Sequence, residues 1–228
     1  YARSGVMGLV CSTGTRDRDM AAPEATEAPG CRRALEELIS LTSPARAQEF
    51  SERLFARFGS LGDAVSARSA ERIELLEDSL EIEQTFRCFR RAMTQMLRGR
   101  LMQRPILSSD EHVLDYLRGR MAYEPIEQLR VLFLNANNEL IADEVLGVGT
   151  VSAVHSWPRE ILKRCLDLEA TAILLVHNHP SGCPRPSRSD RELTERIAKA
   201  AKCLDVVVHD HLVVARNGTT SFRKAGYL

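Results

Sequence analysis

The stretch Ala172-Ile173-Leu174-Leu175-Val176-His177-Asn178-His179-Pro180-Ser181-Gly182, continued by Pro186-Ser187-Arg188-Ser189-Asp190, decides both the architecture and the chemistry of this chain. Residues 172–176 are an uninterrupted apolar run, the pattern of a strand buried on both faces. His177 and His179 follow with one residue between them. In an extended chain residues i and i+2 share a face, so both imidazoles aim at one point. Pro180, Gly182, Pro184 and Pro186 forbid continuation of strand or helix. Leu193, Ile197, Ala201 and Leu204 then recur at helical spacing, which predicts a helix from Arg188. Ser187 and Asp190 fit a capping box at its start. From that first turn Asp190 can point back at the imidazoles. A buried strand, a loop and a helix in this order make an α/β unit.

Two histidines and one aspartate suit zinc, which accepts both imidazole nitrogen and carboxylate oxygen. Three protein ligands leave a fourth position open, as in catalytic rather than structural sites. Zinc in such a site lowers the pKa of bound water to ~7 and polarises carbonyls. Amide hydrolysis is the natural reaction class for that combination. Cys183 lies inside the same loop as a candidate soft ligand, but the His177, His179 and Asp190 set is complete without it.

The chain divides into three stretches. Residues 1–30 are rich in Gly, Ser, Thr, Ala, Pro and charge and lack apolar periodicity, so they read as a disordered tail. The apolar stretch from Val6 to Cys11 is too short for a signal peptide and is broken by Gly8. Residues 31–104 read as helical. Leu35, Leu38, Ile39 and Leu41 open the pattern, and Phe50, Leu54, Phe55 and Phe58 form a stripe stopped by Gly59. Ile73, Leu75, Leu76 and Leu80 suggest a third stripe, and Phe86, Phe89, Met93, Met96 and Leu97 a fourth. All are read as core. Arg104-Pro105 marks the boundary to residues 105–228, where Ser109 can cap a helix through His112, Leu114 and Leu117. Strands are predicted at 129–134 and 139–148, a helix from Pro158 to Leu168, a strand at 206–215, a turn at Asn217-Gly218 and a last strand. Within His209-Asp210-His211, alternation sends both histidines to one face and Asp210 to the other. A role in orienting metal ligands or filling the core suits them better than a second metal site.

His177-x-His179 with Ser187-x-x-Asp190 resembles the JAMM (MPN+) metalloprotease motif. The longer pattern, His-Asn-His-Pro-Ser-Gly with Pro-Ser-x-x-Asp, resembles the bacterial RadC family in particular. Gly149-Thr150, Pro158-Arg159-Glu160, Asp210-His211, Ser221 and the run from Glu127 to Asn135 extend the likeness over the C-terminal half. The resemblance implies a cytidine-deaminase-like, JAMM-type α/β sandwich with a mixed sheet, preceded by a small all-α domain. It implies a zinc-dependent hydrolase, a metallopeptidase or isopeptidase acting on a peptide or protein. Glu127, just before an apolar strand, resembles the glutamate that serves as general base, with Glu124, Glu144 and Glu160 as nearby competitors. By the same resemblance Ser187 supports the oxyanion or orients the water. Family history also offers a non-enzymatic, DNA-repair-associated alternative.

The helical region is similar to the family's helix–hairpin–helix, whose glycine-bearing hairpin offers amides to phosphates. Here the matching stretch, Leu76-Glu77-Asp78-Ser79-Leu80-Glu81, has no glycine and carries three acids. Thr85 to Arg104 holds six arginines and no acid, and is read as neutralising the acidic helix before it. Formal charge is zero, so no global steering toward nucleic acid is expected. Nucleic-acid binding is therefore expected to be weak or absent. The 44% apolar fraction supports a real core, yet no run is long enough to span a bilayer. Six scattered cysteines without a C-x-x-C pair point to reduced thiols and a cytoplasmic protein.

Overall fold

A computed structural model describes residues 30–102, 105–106, 111–149 and 158–228. The 1–29 tail, the Arg104 boundary, the Ser109 cap and Thr150 lie outside the described residues.

Among the described residues six α-helices come first: α1 (Cys31–Ser40), α2 (Ala47–Phe58), α3 (Leu61–Ser66), α4 (Ser69–Leu75), α5 (Leu80–Leu101) and α6 (Glu111–Met121), with a short 3-10 turn at Pro44–Arg46. They end where the chain cannot continue a helix. Gly59 caps α2 in the left-handed region at φ 74°, and the Ser60 hydroxyl accepts the Asp63 amide to start α3. Leu35, Ile39, Phe50, Leu54, Leu76, Ile82 and Phe86 pack into one helical core. Leu41, Leu80, Phe89 and Met96, expected in core stripes, are exposed instead. Leu41 follows the last residue of α1 and Leu80 opens α5, so both sit at helix ends, whereas Phe89 and Met96 lie within α5, which spans two cores. Phe86 belongs to the helical core, while Leu97 and Leu101 pack beside α6, so Phe89 and Met96 fall on the outer side of the helix between the two.

The sheet has five strands: β1 (Gln128–Leu134), β2 (Leu140–Val148), β3 (Ala172–Asn178), β4 (Val207–Ala215) and β5 (Gly218–Ser221). Their order is β2-β1-β3-β4-β5, with β3 and β4 parallel and the other pairs antiparallel. On one face α6 covers Leu132, Leu134, Leu174, Val176, Leu212 and Val214. On the other, α7 (Pro158–Asp167) and α8 (Arg188–Lys202) cover Leu129, Val131, Phe133, Ile173 and Leu175. This is a mixed-sheet α/β sandwich preceded by a helical region.

Strand β4 breaks the alternation expected of it. Ile173 pairs with Val208 but Leu174 pairs with Asp210, so β4 carries one extra residue at His209. The bulge changes the phase of every later side chain. Val208 faces α7 and α8, whereas Leu212 and Val214 face α6. His209 and His211 consequently do not converge: His209 meets Asn138, and His211 meets His177.

The acidic stretch leading into the first turn of α5 also differs from expectation. Glu71 pairs with Arg68, Glu77 with Arg46 and Arg53, and Glu83 with Arg72. None of these acids forms an ion pair with an α5 arginine. The hairpin residues Glu77 and Asp78 hold positive φ without glycine. Glu77 is tied back to α2, and its two arginines hold its carboxyl down at about 2.

Arg72 and Glu83 form a buried pair, 2% and 3% exposed. The guanidinium meets both carboxylate oxygens at 2.7 and 2.8 Å and donates to the Val65 carbonyl at 2.7 Å. Removing one partner strands a buried charge, which costs about 3–5 kcal/mol, whereas replacing both with apolar residues costs far less. Arg72→Ala should lower the denaturation midpoint sharply, and adding Glu83→Leu should recover much of the loss. Equal midpoints for single and double variants would show that the pair is not coupled.

Candidate metal centre

Glu127, His177, His179 and Asp190 each offer one ligand atom, and these atoms lie within 4.8 Å of one another. Four segments deliver them. His177 ends β3, paired with Leu129 on one side and Val213 on the other. The loop turns at Gly182, whose φ of 85° lets its amide reach back to the His179 carbonyl at 3.0 Å. That turn carries the Cys183 carbonyl to His179 Nδ1, 2.8 Å away. Asp190 sits in the first turn of α8. Its Oδ2 accepts the Ser187 amide at 2.7 Å and hydroxyl at 2.6 Å, while the Asp190 amide donates to Ser187 Oγ. The capping box therefore also aims the carboxylate.

Glu127 arrives by a route the sequence does not announce. Asn178, fully buried between the two histidines, donates to the Glu124 and Ile126 carbonyls at 3.2 and 3.1 Å and accepts the Gln128 amide at 2.8 Å. One side-chain amide thus pins residues 124–128 against the end of β3. The detectable signal was its setting, since a polar side chain in a doubly buried strand must find partners.

Hydrogen-bond direction settles the imidazole tautomers. Thr194 Oγ1 donates to the Asp190 carbonyl at 2.6 Å, so it accepts from His211 Nδ1, also at 2.6 Å. His211 Nε2 then accepts from His177 Nδ1 at 2.8 Å, which leaves His177 Nε2 with a bare lone pair. A carbonyl can only accept, so His179 Nδ1 donates to Cys183 and His179 Nε2 is bare as well. These two nitrogens lie 2.9 Å apart, with Asp190 Oδ2 at 3.5 and 3.6 Å from them. Three electron-pair donors facing one point repel unless a cation joins them. The spacings from oxygen to nitrogen are close to those of ligands ~2.0–2.2 Å from one tetrahedral ion. The donor set fits a divalent metal with nitrogen and oxygen preference.

The carboxylates and imidazoles of the cluster also perturb one another. Burial would raise the Asp190 carboxyl, but His177 and His179 overcome it and hold it far below the usual carboxylate range. Asp190 in turn raises the His179 imidazole. Burial, then the neighbouring His177, push His211 well below its ordinary value and keep it neutral. Burial also raises Glu127, against the pull of both histidines.

The other candidates go elsewhere. Glu124 pairs with Arg90, Glu144 with Arg164 and Glu160 with Arg159. Cys183 supplies its carbonyl rather than its thiol. Asp210 accepts the Arg223 amide and the Ser221 hydroxyl, fixing the end of β5. Thr194 and Asn178 are the site-shaping residues that sequence reading overlooked. Partners of this kind hold ligand tautomers, and their loss typically lowers metal affinity ~10–100-fold. His211→Ala should weaken metal retention by that factor in competition with a chelator, and Thr194→Val by less. Retention equal to wild type would mean that His177 keeps its tautomer unaided.

With this geometry in place, comparison with known proteins is informative. Residues 107–227 match the model of the RadC-like JAB domain. A UPF0758 protein from Rhodobacter capsulatus is 44% identical over 178 residues, covering 78% of this chain and 83% of the relative. The match begins before β1 and contains every residue of the His, Asp and Glu cluster, so the chain belongs to the RadC family.

Proposed function

We propose that this protein is a zinc-dependent hydrolase of the JAMM type that cleaves an amide or isopeptide bond in a peptide or protein. The observation that carries the reading is the pair of bare Nε2 atoms converging with Asp190 while Glu127 stands beside them. His177, His179 and Asp190 would hold the ion. When bound, zinc would supply Lewis-acid chemistry, acidifying a water and polarising the scissile carbonyl. Glu127 is the general base: it takes a proton from the attacking water and returns it to the leaving amine. Its burial suits that task, because a raised pKa makes a carboxylate a better base near neutral pH. Ser187 keeps Asp190 in place, and its hydroxyl turns to the carbonyl oxygen as negative charge develops there. His211 and Thr194 keep the His177 proton on Nδ1 throughout.

No helix among the described residues is long and apolar enough to cross a membrane. The five cysteines among them are free, in keeping with a reducing compartment such as the cytoplasm. The deciding experiment is elemental analysis of purified protein, followed by unbiased peptide-cleavage profiling with and without chelator. Stoichiometric zinc with chelator-sensitive cleavage supports the reading. Metal-loaded protein that cleaves nothing would leave the non-enzymatic, DNA-associated alternative in its place.

A further inference from the structure

Several arginines of α5 and α6 carry charge that no ion pair among the described residues answers. Arg87, Arg91 and Arg120 have no carboxylate within ion-pairing distance among the described residues, while Arg90 is held by Glu124. Arg87, Arg90 and Arg91 line a groove of about 440 Å³ between α5 and α6 together with Thr94, Gln95, Arg120 and Glu124. Four guanidinium groups therefore face one carboxylate, on a chain whose formal charge is zero. Of the nearby acids, Glu71, Glu77 and Glu83 are bound to Arg46, Arg53, Arg68 and Arg72.

The groove and the metal centre are close along the chain. Glu124 lines the groove and lies three residues before Glu127, a Cα span of at most ~11 Å even when extended. Asn178 clamps the carbonyls of Glu124 and Ile126 and the amide of Gln128, so groove and site share one rigid segment. Guanidinium forks match carboxylates in bidentate geometry. No aromatic side chain lines the groove, so the stacking that sustains single-stranded nucleic-acid binding is missing.

We propose that this groove binds an acidic flank of the substrate, a peptide segment carrying carboxylates beside the scissile bond. The inference rests on the hydrolase reading for the word substrate, but the binding it asserts does not require turnover.

The test is fluorescence anisotropy on the full chain with a labelled deca-glutamate peptide, beside deca-glutamine and a ten-residue oligo-dT. Deca-glutamate should bind at low salt and weaken steeply as salt rises, and deca-glutamine should not bind. The triple variant Arg87→Gln, Arg91→Gln, Arg120→Gln should weaken deca-glutamate at least tenfold, and the matching Lys triple, which keeps the charge but loses the fork, should fall between it and wild type. Removing three charges elsewhere, by Lys163→Gln, Lys199→Gln and Lys202→Gln, should leave it unchanged. The His177→Ala, His179→Ala variant should bind as wild type does, which separates the groove from the metal. The inference is overturned by absence of deca-glutamate binding, or by equal loss in both Gln triples. It is also overturned if oligo-dT binds more tightly and is the probe released by the arginine variant. In all of these cases the metal and cleavage assays still judge the hydrolase reading by themselves.

Discussion

Glu127→Gln should keep its metal and lose about 10²–10⁴ in hydrolysis rate, the usual contribution of a general acid–base group. The amide preserves the shape of the side chain but cannot take a proton from water. Among the described residues no ion pair or side-chain hydrogen bond ties Glu127 to its surroundings beyond the cluster itself, so the fold should tolerate the lost charge. Its position is set through the backbone, by Asn178 on residues 124–128 and by the Gly149 amide on its own carbonyl at 2.9 Å. The variant should therefore melt like wild type. The two readouts to compare are zinc content and turnover of a peptide found by cleavage profiling. An active Glu127→Gln protein would reject this base. Glu124, Glu144 and Glu160 are poor replacements, since each is committed to an arginine.

The second large effect is on metal. His177→Ala with His179→Ala should abolish zinc retention, because it removes both bare Nε2 atoms and leaves one carboxylate. Asp190→Asn should lower occupancy less, since the amide oxygen still faces the imidazoles but without ligand charge. It should also weaken the start of α8, where the same oxygen accepts the Ser187 amide and hydroxyl. Elemental analysis after dialysis against a weak chelator distinguishes the three proteins. Wild-type zinc content in the double histidine variant would place the metal elsewhere.

Much of this molecule is readable from the order of its residues. The apolar run 172–176 dictates a strand buried on both faces, and the period of Leu193, Ile197 and Ala201 dictates the helix behind it. The i, i+2 spacing of His177 and His179 and the Ser187-x-x-Asp190 cap are local facts, so local rules suffice to place them on one loop. Three further features came only from the tertiary structure. The bulge at His209 changes the phase of β4, and strict alternation cannot anticipate an extra residue that only pairing with β3 reveals. That shift brings His211 to His177 and, with Thr194, sets the tautomer that leaves Nε2 free. The partners of the acidic stretch are likewise a matter of packing. Glu77 and Glu83 are close in sequence to the α5 arginines, but the hairpin at Glu77 and the packing of α4 on α5 turn them toward Arg46, Arg53 and Arg72. Sequence proximity specifies which side chains an element presents. Which of them meet is decided by how elements pack, and that is why the metal loop is legible in one dimension while its supporting shell and the arginine groove are not.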